Sequence, residues 1–530
     1  MMEWKNLPWC KLERKVFKLQ KRIFKASQRG DVKVVRKLQK TLMRSWAAKC
    51  LAVRRVTQDN QGKRTAGVDG MKSLTPKQRT ELTQNLRLSR KGKPTRRAWI
   101  PKPGTEEKRP LGIPTMTDRA LQALVKLALE SEWEARFEPN SYGFRPGRSC
   151  HDAIEAIFLC INRRPKYVLD ADISKCFDRI NHRTLLKKLN TLPTIRRQIR
   201  AWLQAGVMDG KQLFPTTEGT PQGGVISPLL ANVALHGMEK RIKELFPSKQ
   251  SRKDKAFYAP HLIRYADDFV IMHEDLTIVQ RCQQEITEWL SNMGLELKPS
   301  KTQLTHTLNS HEGKVGFDFL GFTIRQFPVG KYQSGRNNQG IPLGHKTLIK
   351  PSQEKLKYHV KKVRSIVHVH KSAPQSVLIG RLNPIITGWA DYYSTQVSKQ
   401  IYELADEHLY QQLKVWAIHR HPNKTHKWIA RKYWHQIENL QWVFSTKVGD
   451  KTLRLFKHKE TPIKRHIKVQ GTRSPYDGDW IYWSTRMGKH PEASKRDSML
   501  LKRQKGMCPH CRLFFRDGDL LEADHIIPRS

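Results

Sequence analysis

Two aspartates, Asp267 and Asp268, sit side by side inside LIRYADDFVI, Leu262 to Ile271, a run whose apolar flanks suit a buried β-strand. Burying two carboxylates costs several kcal/mol unless a cation compensates, so a fold for this chain must bring positive charge to that point. A second run, YVLDADISKCFDRI, is an apolar strand that ends in Asp172. Carboxylates on two adjacent strands can clamp a pair of divalent cations roughly 4 Å apart for a phosphoryl displacement. Mg²⁺ takes hard oxygen ligands and keeps waters, so two or three carboxylates plus substrate phosphates suffice. Adjacent strand residues face opposite ways unless a turn intervenes, so Asp267 is expected to ligate fully and Asp268 to supply field or a looser contact. A turn-capping aspartate pair is the ordinary reading of ADD alone, and the Asp172 strand in the same chain argues against it.

The charge balance points to a polyanionic partner. There are 98 Lys and Arg against 48 Asp and Glu, a formal net charge of +50. The excess is spread along the chain: residues 1–65 carry 19 basic and 4 acidic residues, and 87–109 carry 9 and 2. A single basic run is an ordinary solvated helix face. A sustained excess predicts a long groove for a duplex or folded RNA, with affinity that falls steeply in salt. The 530 residues exceed one compact core, so three or more domains are expected. The 8 cysteines are scattered and only Cys508 and Cys511 have metal-like spacing, which predicts a reduced, intracellular (cytoplasmic or organelle-type) protein. No run suits a membrane span. The basic start could imitate an organellar leader, but it is lysine-heavy and its apolar pattern suits a packed helix.

Leu12, Val16, Leu19 and Ile23 follow helical spacing, as do Val32, Val35, Leu38, Leu42 and Trp46, so two basic amphipathic helices open the chain. NQGKRTAGVDG reads as a loop, KGKPTRRAWIPKPGTEEKRPLGIP as an edge hairpin, and PSKQSRKDK as a charged surface insertion. From about 115 to 325, strand-like runs alternate with helical ones at 120–134, 227–245 and 278–293, which predicts an α+β core. Beyond 350 the spacing predicts helices without strands: Leu356, Val360, Val363 and Val367, then Leu378, Leu382, Ile385, Trp389 and Tyr392, then 401–416. Over 424–495, interleaved rings and cations suit stacking on unpaired bases and phosphate contact; Trp428, Trp434 and Trp442 as core residues is the other reading.

In this order the blocks resemble a reverse transcriptase, specifically the intron-encoded proteins of group II introns. AGVDG is similar to the family's N-terminal extension, RRAWIPKPGTEEKRPLGIPTMTDRALQ to the fingers and NSYGFRPGRSCHDAI to the second conserved block. DADISKCFDRIN resembles motif A, GTPQGGVISPLLANVALHGME motif B, IRYADDFVI the catalytic hairpin, GLELKPSKTQL motif D and FDFLGFTI motif E. RLNPIITGWADYY looks like the thumb, called domain X in maturases. The resemblance implies a right-hand polymerase of fingers, palm and thumb. It divides the chain into a basic extension at 1–85, fingers and palm at 86–330, thumb or domain X at 350–445 and a basic DNA-binding region at 446–495.

The resemblance also implies roles. Asp172, Asp267 and Asp268 match the metal-binding aspartates of a two-Mg²⁺ site, with the Ile173 carbonyl a further ligand. Phe177 matches the steric gate that excludes a ribose 2′-hydroxyl; RNA-copying RNA polymerases, the remote alternative, tend to carry a polar Asp there. Gln222 matches the residue that packs on the incoming nucleotide, and Gly223 and Gly224 would let backbone approach the nascent pair. Lys102 and Arg109 match basic finger residues that grip the triphosphate, with ordinary surface cations as the other reading. Lys301 in motif D would protonate departing pyrophosphate, or be a solvated loop lysine. The implied partners are group II intron RNA, an RNA template with a DNA primer, dNTPs and target DNA, with no membrane; which intron, and the oligomeric state, stay open. The alternative function is an RNA-binding splicing cofactor with the palm as scaffold.

CPHCRLFFRDGDLLEADHIIPRS, in 496–530, resembles the first half of an HNH endonuclease domain. Cys508 and Cys511 would be half of a zinc site, Asp524 a catalytic metal ligand and His525 the general base, with Glu522 nearby. Half a Zn²⁺ site folds nothing by itself, so DNA cleavage is not expected of these residues.

Overall fold

The structure, a computed structural model, describes residues 3–101, 106–248, 258–516, 518–519 and 521–523. Three helices, Trp9–Gln28, Val32–Arg44 and Trp46–Arg54, open it, where the spacing predicts two. Leu12, Val16 and Ile23 of the first and Val35, Leu38 and Leu42 of the second are buried, as their period requires. They pack on Met116–Glu134, a helix buried on nearly all faces. Polar links fix that packing: Ser27 Oγ donates to the Glu132 carbonyl at 3.0 Å, and Gln39 Nε2 to Glu132 Oε2 at 2.6 Å.

The strands, in chain order, begin with β1 (Thr95–Pro101), β2 (Lys108–Ile113), β3 (Tyr167–Asp172), β4 (Val207–Asp209) and β5 (Gln212–Phe214). They continue with β6 (His261–Tyr265), β7 (Asp268–His273), β8 (Gln303–His306), β9 (Phe317–Phe319), β10 (Phe322–Pro328) and β11 (His345–Pro351). β1 and β2 form the expected hairpin and extend through β4 to β5. The central sheet has the order β6-β7-β3-β8, so the two aspartate-bearing runs are neighbours. Helices Cys150–Ile161 and Leu276–Ser291 cover this sheet, giving the α+β core that the alternation of runs predicts. The single helix predicted over 227–245 is two, Ser227–Leu235 and Met238–Leu245, because Gly237 takes a left-handed conformation (φ 104) between them. Most of the PSKQSRKDK insertion lies outside the described residues.

Helices Gln353–Val369, Gln375–Tyr393 and Lys399–Arg420 form the predicted bundle around Leu378, Leu382, Ile386, Leu413 and Trp416. Strands nevertheless return, against the reading of an all-helical chain beyond 350. β12 (Trp434–Ile437), β13 (Leu440–Val448) and β14 (Lys451–Arg454) make an antiparallel sheet whose Phe444 and Trp434 join the bundle core. Within the ring- and cation-rich stretch 424–495, the aromatic and β-branched residues of QWVFSTKV form a strand that buries Val443, Phe444 and Ser445.

The chain then folds back over the body. Asp152, at the start of Cys150–Ile161, accepts from the Val469 amide at 2.8 Å and pairs with His466 Nε2 at 3.0 Å and with the Arg486 guanidinium. Trp483 is fully buried among palm residues, and Tyr476 packs between Phe17 and Phe24 of the first helix. Lys21 and Glu492 close the contact with a 2.6 Å ion pair.

Candidate active site

β3 and β7 pair antiparallel with Asp172 directly opposite Asp268. In the β6–β7 hairpin, Tyr265 pairs with Asp268, leaving Ala266 and Asp267 as the turn. Ala266 is left-handed (φ 60), so a turn does interrupt the alternation between the two aspartates. Burial, then the charges of Asp267 and Asp172, push the Asp268 carboxyl up to about 7. Burial and Asp172 also raise Asp267, against the pull of Lys301 and Arg109. Asp170, two residues before Asp172 on the same strand face, is pushed up to about 7 by burial and by Asp268, Asp318 and Asp172.

The hairpin tip is held from below by Arg264, which is fully buried. Its Nη1 donates to the Ala266 carbonyl at 2.9 Å and to Asn232 Oδ1 at 3.1 Å, and its Nη2 to Ser141 Oγ at 2.7 Å. Burial lowers this guanidinium to about 10, which leaves it charged at neutral pH. The NSYGF block runs alongside: the Tyr142 amide donates to the Arg264 carbonyl, and the Arg264 amide to the Asn140 carbonyl, each at 2.9 Å. Gly143 lies so close that a Cβ there would stand 2.3 Å from the Ala266 nitrogen.

Motif D closes the other side. Ile173 bridges Leu297, the Lys298 amide donates to the Asp172 carbonyl at 2.8 Å, and Lys301 Nζ donates to Asp172 Oδ2 at 2.8 Å. That bond raises the Lys301 ammonium further, so this lysine is paired and not simply solvated. Lys175, left-handed at φ 44, turns the chain from β3 into the short helix Cys176–Arg179, which carries Phe177. The Phe177 ring meets Phe144 edge to face at 6.3 Å. Gln222 accepts at its carbonyl from the Gly112 amide of β2 at 2.6 Å, joining the fingers to motif B. A Cβ on Gly223 (φ 109) would lie 2.9 Å from the Gly112 carbonyl oxygen, a reason for glycine that involves no substrate. The Val225 amide donates to Gln122 Oε1 at 2.8 Å.

Arg109 lies on β2, exposed, opposite Ile100, with its charge felt at Asp267. Lys102, Asp524 and His525 lie outside the described residues. Cys508 and Cys511 are free thiols and Glu522 is exposed. Among the described residues, no three His, Cys, Asp or Glu side chains converge as an ion cage. The donors beside Asp172 still fit a hard divalent cation: they are carboxylates, without thiol or imidazole, raised by burial and by one another's charge, with the Lys301 ammonium already taking one oxygen. Asp170, Arg264, Asn232 and Phe144 were not singled out from the sequence. DAD spacing marks the first, and an arginine inside an apolar strand marks the second.

No helix of the described residues is long and apolar enough to cross a membrane. Residues 100–324 match the reverse transcriptase (RNA-dependent DNA polymerase) family, 4–86 the N-terminal domain of reverse transcriptase, and 356–434 the group II intron maturase-specific domain. Protein YkfC of Escherichia coli (strain K12) is 32% identical over 331 residues, covering 56% of this chain and 84% of its own. Group II intron-encoded protein LtrA of Lactococcus lactis subsp. cremoris is 31% identical over 326 residues, 50% of this chain and 53% of LtrA, so the match spans about half of that relative. Maturase-like protein 1 of Euglena gracilis is 28% identical over 404 residues, 74% of this chain and 77% of that protein. With its paired aspartate strands between an N-terminal reverse transcriptase domain and a maturase domain, the chain belongs to the group II intron-encoded reverse transcriptases and maturases, a family of RNA-directed DNA polymerases.

Proposed function

We propose that this chain copies RNA into DNA at Asp172, Asp267 and Asp268, and that it binds its parent intron RNA to assist splicing and mobility by target-primed reverse transcription. The observation that carries the reading is the cross-strand pairing of Asp172 with Asp268 beside the Asp267 turn. The reaction joins the primer 3′-hydroxyl to the α-phosphate of a dNTP and releases pyrophosphate. Two bound Mg²⁺ ions, held by these carboxylates and the Ile173 carbonyl, would supply Lewis acidity. The Phe177 ring would block a 2′-hydroxyl, and Gln222 would pack on the incoming nucleotide. Arg109 and Lys102 would grip the triphosphate, and Lys301 would release Asp172 and give a proton to pyrophosphate. The 350–445 thumb and the basic helices of 1–85 would bind intron RNA, with 446–495 on target DNA. Cys508, Cys511, Asp524 and His525 would belong to an HNH-like segment, with the two thiols as ligands of a Zn²⁺ ion.

The test is primer extension on an RNA template with dNTPs or rNTPs, with and without Mg²⁺, beside a splicing assay on the parent intron. The double variant Asp267→Ala, Asp268→Ala should abolish cDNA synthesis and retain assisted splicing. Parallel loss of splicing in a folded variant would overturn the separation of roles. Splicing without any cDNA synthesis by the unmodified chain would leave the palm as a scaffold.

A further inference from the structure

We propose that the cleft between helix Lys399–Arg420 and the β12–β14 sheet binds one unpaired guanosine of an RNA, its base stacked on Trp442. The proposal rests on the RNA-binding role of the thumb given above and assigns it a subsite.

Backbone geometry supplies the first observation. Between β12 and β13, His435 pairs with Val443 and Ile437 with Leu440, so Gln436 alone faces Gln441 and Trp442. This is a β-bulge, and Trp442 occupies it at φ 53, where glycine is the usual residue. A bulky side chain in that region is strained, and bulges re-aim the side chains they carry. The strain presents a large ring to the outside: Trp442 is 57% exposed. Among the described contacts it stacks on no other ring and no cation lies over it.

The cleft beneath Trp442 supplies the second. It holds about 300 Å³, at the lower end of small-ligand sites. Its wall is already built, because Trp434 packs edge to face on Phe444 at 5.3 Å and on Tyr410 at 5.7 Å. A base entering between that wall and Trp442 would meet aromatic surface without having to order it.

Charge selects the occupant. Glu403 and Glu407, one helical turn apart, line the cleft and have no hydrogen-bond or ion-pair partner among the described residues. Asp406 between them is spent on His458, through Nδ1 at 2.7 Å and the backbone amide at 2.8 Å, and on the Lys459 amide at 3.0 Å. Free carboxylates repel phosphate, so on a chain of net charge +50 they serve an RNA only by accepting from a base edge. Guanine presents two adjacent N–H donors, N1 and N2, which match the two oxygens of one carboxylate; uracil presents a single donor. Lys457 and Lys459, which also line the cleft, would take the flanking phosphates.

The test uses the full chain and end-labelled, U-only RNAs of about 12 nucleotides. They carry at their centre a single guanosine, a cytidine, a uridine or an abasic site, and binding is read by fluorescence anisotropy in moderate salt. The guanosine RNA should bind about tenfold more tightly than the abasic one. Trp442→Ala should remove that preference. The double variant Glu403→Gln, Glu407→Gln should erase the preference for guanosine over uridine, while the lost repulsion raises the affinity of all four RNAs alike. Trp442→Gly relieves the bulge, so it should unfold at or above the wild-type temperature and still lose the preference. A guanosine preference that survives Trp442→Ala overturns the proposal, and so does a Trp442→Gly protein that melts well below wild type, since Trp442 would then be a structural residue. Equal wild-type affinity for all four RNAs, with primer extension intact on an annealed template, overturns the cleft alone. Wild-type protein that binds none of them and extends no primer overturns the proposed function instead.

Discussion

Arg264 Nη1 donates to the carbonyl of Ala266 at 2.9 Å, so a buried cation fixes the left-handed turn from which Asp267 projects. The same guanidinium reaches Asn232 and Ser141, tying the β6–β7 hairpin to motif B and to the NSYGF block. Arg264→Met should therefore abolish primer extension and destabilise the fold by roughly 3 kcal/mol, because the buried groups it served lose charged hydrogen bonds. Arg264→Lys keeps the charge without the fork, and should recover more thermal stability than extension rate. Thermal unfolding beside single-turnover extension checks both.

Gly143 presses on the same turn. Gly143→Ala would set a methyl 2.3 Å from the Ala266 nitrogen, and neither backbone has room to yield. Extension should fall more than RNA binding does, as measured by extension rate and by filter binding of the same template. Equal losses in both would mean that the palm as a whole had shifted.

Phe177→Ala opens the space beside the Cys176–Arg179 turn. Discrimination against rNTPs should fall by roughly 10- to 200-fold, the range that a shape change in a pocket delivers. Competition between dNTP and rNTP in primer extension measures it, and unchanged discrimination would sink the gate assignment.

Asp152 is fully buried, and pairing with His466, Arg486 and the Val469 amide holds its carboxyl below the usual range despite burial. Asp152→Ala leaves Arg486 and the Val469 amide without that partner, at a cost of about 3–5 kcal/mol. Limited proteolysis should then cut within 466–503 while the palm resists.

His236 makes the fold sensitive to acid. Burial and then the nearby cations Lys188, Arg264, Arg136 and Arg145 push it down to about 4, and Glu138, 3.8 Å away, does not offset them. The unfolded chain takes up this proton near pH 6.5 and the folded chain only near 4, so the contribution is intact above 6.5 and lost as pH falls through that window. A His236→Phe protein should gain on wild type by up to about 3 kcal/mol between pH 6.5 and 4, read as the difference in unfolding free energy.

Much of this was legible in the residues. Asp172 and the Asp267–Asp268 pair were found because carboxylates at the ends of apolar strands demand an explanation, and the structure sets those strands side by side. Leu12, Val16 and Ile23 foretold a helix through period alone. What escaped was set by contacts between distant segments. QWVFSTKV becomes strand because Phe444 finds the helix bundle, and Gly223 is glycine partly because Gly112 lies against it. Arg264 looked like one more basic residue on a chain with 98 of them, and only its burial gives it a purpose.

The Lys21–Glu492 pair joins positions 471 apart, with Tyr476 seated between Phe17 and Phe24 in the same region. During translation the first helix thus leaves the ribosome with its aromatic side uncovered, and stays so until Tyr476 and Glu492 have been made. A stalled or broken transcript would release a sticky product. Closure of the N-terminal helix is therefore a late event in the assembly of the protein.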